Sequence, residues 1–204
     1  MNKVVILVFF AFKMNAQDTI TFPKIDLYKR NIVEVSYGKP LGQLSDKYES
    51  AINSAFYMRT KIARRQFIDF GVEIGAIVKG STLDYRFENQ KIALDGTKTS
   101  FLLGLRYTRF LYQSENENLH IESNAGIGWK YLYYQKPQTE PYKDIDLKPY
   151  IHTIAVSQGI KIMYHGFGVH CNYQYAPYEL FNSKIEKNFG GSSLNFGVSG
   201  SWNF

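Results

Sequence analysis

The feature that most constrains this chain is a strict period of two that recurs over long stretches. Ile68, Phe70, Val72, Ile74, Ala76 and Val78 fall on one side, and Asp69, Gly71, Glu73, Gly75, Ile77 and Lys79 on the other. Successive side chains of a strand point to opposite faces, so one face here is apolar and the other mostly polar or glycine. A helix would scatter Asp69, Glu73 and Lys79 around the apolar side. The same alternation runs through Phe101, Leu103, Leu105 and Tyr107, then from Leu119 to Tyr133, from Phe167 to Tyr175, and from Leu194 to Phe204. Three further runs are weaker, around Val33–Tyr37, Phe56–Ile62 and Tyr150–Ile162. In the last of these His152 and Gln158 share the face of Ile154, Val156, Ile160 and Ile162. Eight strands are expected in all, at 31–39, 54–63, 67–79, 99–112, 119–133, 149–164, 166–176 and 192–204.

The links between these strands are sorted by length. Those at 63–66, 113–118 and 165–166 are short, whereas 40–53, 80–98, 134–148 and 177–191 are long and rich in polar residues, Pro or Gly. A soluble sandwich has no reason to alternate its loops in this way. Short turns on one side, long loops on the other, an even strand number and strands of about ten residues are the pattern of a transmembrane β-barrel. The fold class expected is therefore all-β, an eight-stranded antiparallel up-and-down transmembrane barrel over residues 31–204, with the long loops on the extracellular side.

The start of the chain reads as an export signal. Lys3 precedes an unbroken apolar run from Val4 to Phe12, and Ala16 supplies a small residue before the expected cut. Nine apolar residues are too few for a membrane-spanning helix, which takes roughly 20. Residues 1–16 are thus expected to be a cleaved signal peptide and 17–30 a short periplasmic segment. Loss of Lys3 and Lys13 lowers the formal charge from +6 to +4. The basic residues are dispersed, without the stripe or aromatic interleaving that nucleic acid requires, so no nucleic-acid partner is expected. One cysteine excludes a disulfide framework and a Cys-based zinc site.

Aromatic residues make up 16% of the chain although its mean hydropathy is only −0.28. A barrel accounts for both values. Alternation keeps the average near neutral, while rings collect at the two membrane interfaces. Tyr37, Tyr107, Trp129, Tyr131, Tyr133, Tyr173 and Tyr175 lie near expected strand ends and are candidates for such girdles, which would contact outer-membrane lipids.

The chain ends Gly197-Val-Ser-Gly-Ser-Trp-Asn-Phe204. This resembles the terminal strand of Gram-negative outer-membrane proteins, which commonly finishes on Phe. The resemblance implies that Trp202 and Phe204 are read by the barrel-assembly machinery and that the protein resides in the outer membrane. The family pattern places Gly five positions before the end, where this chain has Ser199. By strand count, loop order and terminal strand, residues 31–204 resemble the OmpA-type and OmpX-type eight-stranded barrels.

Eight strands enclose an interior just wide enough for side chains to fill. The inward parity carries the acids Glu34, Asp69, Glu73 and Glu122 and the bases Arg59, Lys61, Arg106 and Lys161. Buried charges persist when paired and hydrogen-bonded, so the expectation is a plugged, ion-paired polar lumen rather than a pore. No catalytic residue is assigned. A lipid-A-deacylase-like site would need a His-x-Ser pair, and His120-Ile-Glu, His152-Thr-Ile, His165-Gly-Phe and His170-Cys-Asn do not supply one. A trio assembled from distant strands is the route left to a lipid-modifying enzyme, such as a lipid A acyl hydrolase or transferase. A secreted lipocalin-like ligand-binding barrel is the other alternative. No metal or cofactor is expected. The extracellular loops, with an unidentified ligand, are the candidate recognition surface.

Overall fold

The computed structural model describes residues 29–46, 48–80, 83–87, 90–135, 150–181 and 190–203. The expected leader, nearly all of the 17–30 segment, Phe204, and most of the links at 134–148 and 177–191 lie outside these residues. Among the described residues there are nine strands: β1 (Lys29–Leu41), β2 (Tyr48–Ala63), β3 (Gln66–Gly80), β4 (Leu83–Phe87), β5 (Gln90–Gln113), β6 (Leu119–Gln135), β7 (Tyr150–Tyr164), β8 (Phe167–Pro177) and β9 (Gly190–Asn203).

Eight of them are the staves of a closed barrel. The order β3-β2-β1-β9-β8-β7-β6-β5 returns on itself through β3–β5 pairing, and every pairing is antiparallel. Closure leaves the staves without a free edge, so their backbone polar groups pair within the wall. The first and last strands meet along Arg30–Leu41 against Ser192–Asn203.

Alternation is the local cause of the wall. Along β2 from Ile52 to Arg59, Ile52, Phe56 and Met58 are exposed outside while Asn53, Ala55, Tyr57 and Arg59 are buried inside. The sixth expected strand, β7, whose alternation is weaker, obeys the same rule. His152 and Gln158 keep the outward parity of Ile154 and Val156, and Ile151, Thr153, Ala155 and Lys161 point in. Its register follows from Tyr133 pairing with Tyr150 and Leu119 with Tyr164.

Two links differ from expectation. The first, expected at 40–53, contracts because β1 runs to Leu41, a short 3-10 helix spans Gly42–Asp46, and β2 starts at Tyr48. Leu44 is buried here and draws that helix back over the barrel end. The second, expected as a polar loop at 80–98, contains β4 and the first part of β5. They form a hairpin with Leu83 opposite Leu94 and Phe87 opposite Gln90. The period of two is interrupted by Gly96 and two register shifts between Asp95 and Thr99, which concealed the continuation of β5.

The short turns gather at one end, with the first residues of β1 and the last of β9. In the β7–β8 hairpin both loop residues have positive φ, 49° at His165 and 83° at Gly166. That is the condition for a tight hairpin turn matching the strand twist. Arg65 also adopts positive φ, and its carbonyl accepts a 2.9 Å hydrogen bond from Phe110 N on β5.

Candidate functional site

Six staves deliver one charged side chain each to the same level of the interior. Arg59 (β2) donates to Asp69 (β3) at 2.7 and 3.0 Å and to Glu122 (β6) at 2.7 and 2.9 Å. Arg106 (β5) reaches Asp69 at 3.1 Å and both Glu34 (β1) oxygens at 3.0 Å. Lys161 (β7) donates to Glu34 and lies 3.9 Å from Glu122. Traced in sequence, Asp69, Arg59, Glu122, Lys161, Glu34 and Arg106 form a closed ring of alternating sign. Every acid touches two bases and every base two acids, so the ring is neutral, and its members are at most 4% exposed.

The guanidinium forks explain why two of the three bases are arginines, since a planar fork can bridge two carboxylates where an ammonium acts as a point charge. Further groups hold the ring in place. Thr108 Oγ1 donates to Asp69 at 2.9 Å, and His120 Nε2 lies 3.0 Å from Glu122. The Arg106 guanidinium sits 3.9 Å from the Tyr57 ring centroid, and Arg59 lies 5.1 Å from that of Phe67. Such cation–π contacts add to the hold on a desolvated cation.

Of the eight residues named from sequence, six thus meet in one network and two do not. Lys61 has inward parity but lies beyond the lumen, exposed at the short-turn mouth. Glu73 is half-buried nearer the long-loop end and belongs to a separate polar zone. Its charge acts on Lys130, which is buried and donates to Gln174. Lys130 is therefore the fourth interior cation in place of Lys61. The inward parity of β6 was the signal for it, because Lys130 alternates with Trp129 and Tyr131.

The interior is not polar throughout, as had been expected. Toward the long-loop end it becomes a packed hydrophobic cluster. Leu102, Leu132, Tyr134 and Ile151 pack with Leu44 and with Tyr178, which enters from a second 3-10 helix at Tyr178–Leu180. Parity loses its contrast at Leu102, between Phe101 and Leu103, and at Leu132, between Tyr131 and Tyr133, which is why alternation alone does not reveal the cluster. Between ring and cluster, Asn53 donates to Asn195 at 3.2 Å. A small cavity of roughly 30 Å³ there is lined by Glu73, Asn124 and Asn172 among others.

One Ser–His contact joins two strands. His170 Nδ1 (β8) is 2.8 Å from Ser199 Oγ (β9), a diagonal contact across the two strands. Both residues are buried in the interior, at 5% and 4% exposure, away from the outer wall. Among the described residues no group of three or more His, Cys, Asp or Glu is placed to hold a metal ion.

The outer wall is the counterpart of the ring. Val35, Ile74, Leu105, Ile127, Val156, Ile160 and Val198 are all exposed on it. The expected girdle residues all have outward parity: Tyr37, Tyr133, Tyr173 and Tyr175 are exposed, and Tyr107, Trp129 and Tyr131 are half-buried among neighbours. Trp129 stacks on His152 at 5.4 Å, and Tyr131 lies 5.7 Å from Tyr150 and 6.3 Å from Tyr133. Tyr112, Tyr164, Phe167 and Trp202 form a second exposed set near the short-turn end. Cys171 lies half-buried on the outer wall.

No protein-family model matches the chain, and no curated protein matches it in sequence. Solved structures match it in shape. The N-terminal β-barrel domain of Pseudomonas aeruginosa OprF superposes with a TM-score of 0.50 at 7% identity, over 85% of this chain and 97% of that one. Neisserial surface protein A superposes with a TM-score of 0.53 at 9% identity, over 86% of this chain and 97% of that one. At such identities the likeness is one of architecture, and by that architecture the chain is a closed eight-stranded, all-antiparallel, up-and-down β-barrel of the kind found in small outer-membrane proteins.

Proposed function

We propose that this protein is a non-enzymatic barrel of the Gram-negative outer membrane. Its lumen is closed to ions, and its role is structural or one of recognition through the long-loop end. The observation that carries the reading is the inversion of the wall. Charged groups are neutralised inside, while a continuous belt of Val, Ile, Leu and Phe is exposed outside. Soluble monomers rarely expose contiguous apolar patches above a few hundred Å², and a lipid bilayer is the environment that accepts such a belt. The aromatic sets at both ends support the same placement. A soluble lipocalin-like carrier would need the opposite arrangement, an apolar lumen within a wetted wall.

Closure of the lumen is supported at two levels. The six-membered charge ring crosses it on the short-turn side, and the plug around Leu132, Ile151 and Tyr178 fills it on the long-loop side. A lipid-modifying role would call for a nucleophile and base on the lipid-facing wall, whereas Ser199 and His170 point inward. Cleavage of residues 1–16 and reading of Trp202 and Phe204 by the assembly machinery belong to the same proposal.

Membrane fractionation combined with gel mobility in detergent, with and without boiling, tests the placement. The expected result is a membrane-bound species whose mobility shifts on heating. Recovery of the protein from the soluble periplasm would overturn it. Lipid A mass spectra from cells with and without expression test the non-enzymatic reading; a mass change dependent on the protein would refute it.

A further inference from the structure

The short-turn rim carries a group of cations that the charge ring does not use. Arg64 and Arg65 form the β2–β3 turn, and Arg109 points outward from β5 beside them, opposite Gln66 of β3. All three guanidinium groups are exposed, and no hydrogen bond or ion pair to any described residue engages them. Glu115 and Glu117 on the neighbouring turn do not neutralise them, although they line the mouth cleft close by. Arg64, Arg65, Gln66 and Arg109 instead share a cleft of roughly 430 Å³ with Phe110 and Leu111.

Two details make this more than a scatter of surface charge. Tyr107 Oη donates to Gln66 Oε1 at 3.0 Å, which fixes the amide with its NH2 group as a remaining donor in the cleft. The backbone bond from Phe110 N to Arg65 O anchors the turn to β5, with Arg65 held at positive φ. From Arg109 the same outward face rises toward the middle of the wall through Tyr107 and Leu105 of β5, beside Ile68 and Phe70 of β3. Donors for a phosphate therefore adjoin, at the same rim, the wall along which an acyl chain would lie.

We infer that Arg64, Arg65, Arg109 and Gln66 form a headgroup site for an anionic phospholipid of the leaflet at the short-turn end. The inference rests on the membrane placement proposed above. The phosphate takes the guanidinium donors and the Gln66 amide, and the first part of the acyl chain runs up the wall over Tyr107 and Leu105. Phosphate recognition by paired arginines is geometrically favourable, and each basic group near an anionic membrane surface contributes on the order of fivefold in affinity.

The test uses the full chain inserted into vesicles of equal phosphatidylglycerol and phosphatidylcholine. The protein is then extracted gently, and co-purifying lipid is quantified by mass spectrometry. The expected result is enrichment of phosphatidylglycerol by about fivefold or more, abolished in R64Q/R65Q/R109Q and retained in R64K/R65K/R109K. Heat-shifted gel mobility of each variant establishes that it is folded. R109Q alone, which leaves the turn intact, is expected to lower enrichment by a few fold. Failure to insert would remove the membrane reading and this site together. Insertion without lipid preference, or enrichment unchanged in the triple Gln variant, would overturn the site alone. Equal competition by free glycerol 3-phosphate, or displacement of the lipid by soluble peptidoglycan fragments, would also overturn it, because the occupant would then not be a lipid.

Discussion

Replacing Arg106 by Met removes one link of the charge ring, and the cost follows from what remains. Arg106 makes three charge-assisted hydrogen bonds, two to Glu34 and one to Asp69, and covers the Tyr57 ring. After its loss Glu34 keeps only Lys161, Asp69 keeps Arg59 and Thr108, and the ring carries one uncompensated negative charge. Removing one partner of a buried ion pair typically costs about 3–5 kcal/mol. For Arg106→Met we expect about 4 kcal/mol, since both orphaned acids retain another partner. Restoring neutrality with Glu34→Gln in the same chain should recover much of this, because a buried pair replaced as a whole costs far less than half a pair. The double variant is therefore expected to be more stable than Arg106→Met alone. Its loss should also fall at least about 2 kcal/mol short of the summed single losses. Urea titration of the barrel in lipid vesicles, followed by Trp129 and Trp202 fluorescence, measures this. At a slope of about 2 kcal/mol per M, the single variant moves the midpoint by roughly 2 M. A loss below about 1 kcal/mol for Arg106→Met, or simple additivity in the double variant, would refute the ring as a coupled network.

Lys61 and Lys161 separate parity from burial. Lys161→Met should lose about 3 kcal/mol or more in the same titration because it orphans Glu34 and Glu122, whereas exposed Lys61→Gln should stay within about 0.5 kcal/mol. Ile127, exposed midway along β6, reports the surroundings of the wall. Ile127→Arg is expected to cost about 2–4 kcal/mol in vesicles, and a change under 0.5 kcal/mol would indicate water outside. Gly71 lies under Tyr57, and a Cβ there would come within 2.4 Å of its ring and 2.2 Å of Phe56 O. Gly71→Ala should therefore cost about 1–3 kcal/mol through displacement of Tyr57 and the wall, and unchanged unfolding would show that this packing is slack.

The barrel was legible because its wall repeats one rule. Where outward and inward residues differ in polarity, as from Ile68 to Val78, strand, face and approximate ends can all be read from the chain. Even His152 and Gln158, polar residues on an apolar face, keep the parity of the sixth strand. Glu34, Arg59, Asp69, Arg106, Glu122 and Lys161 were visible as inward charges, but not as a ring. Parity places a residue inside and says nothing of its height, and the height depends on strand register. This is why Lys61, one step of inward parity beyond Arg59, was grouped with the ring although it lies past the end of the lumen. The hydrophobic cluster was hidden for another reason: Leu102 and Leu132 point inward between outward residues that are themselves apolar or aromatic. The hairpin of β4 was hidden by Gly96, where alternation breaks although the strand continues.

The most direct test of the account is single-channel conductance of the purified barrel in planar bilayers. With the lumen crossed by the Asp69–Arg59–Glu122–Lys161–Glu34–Arg106 ring and filled above it by Leu132, Ile151 and Tyr178, insertion should produce a quiet baseline without discrete openings. Large, reproducible conductance steps from the unaltered protein would contradict it.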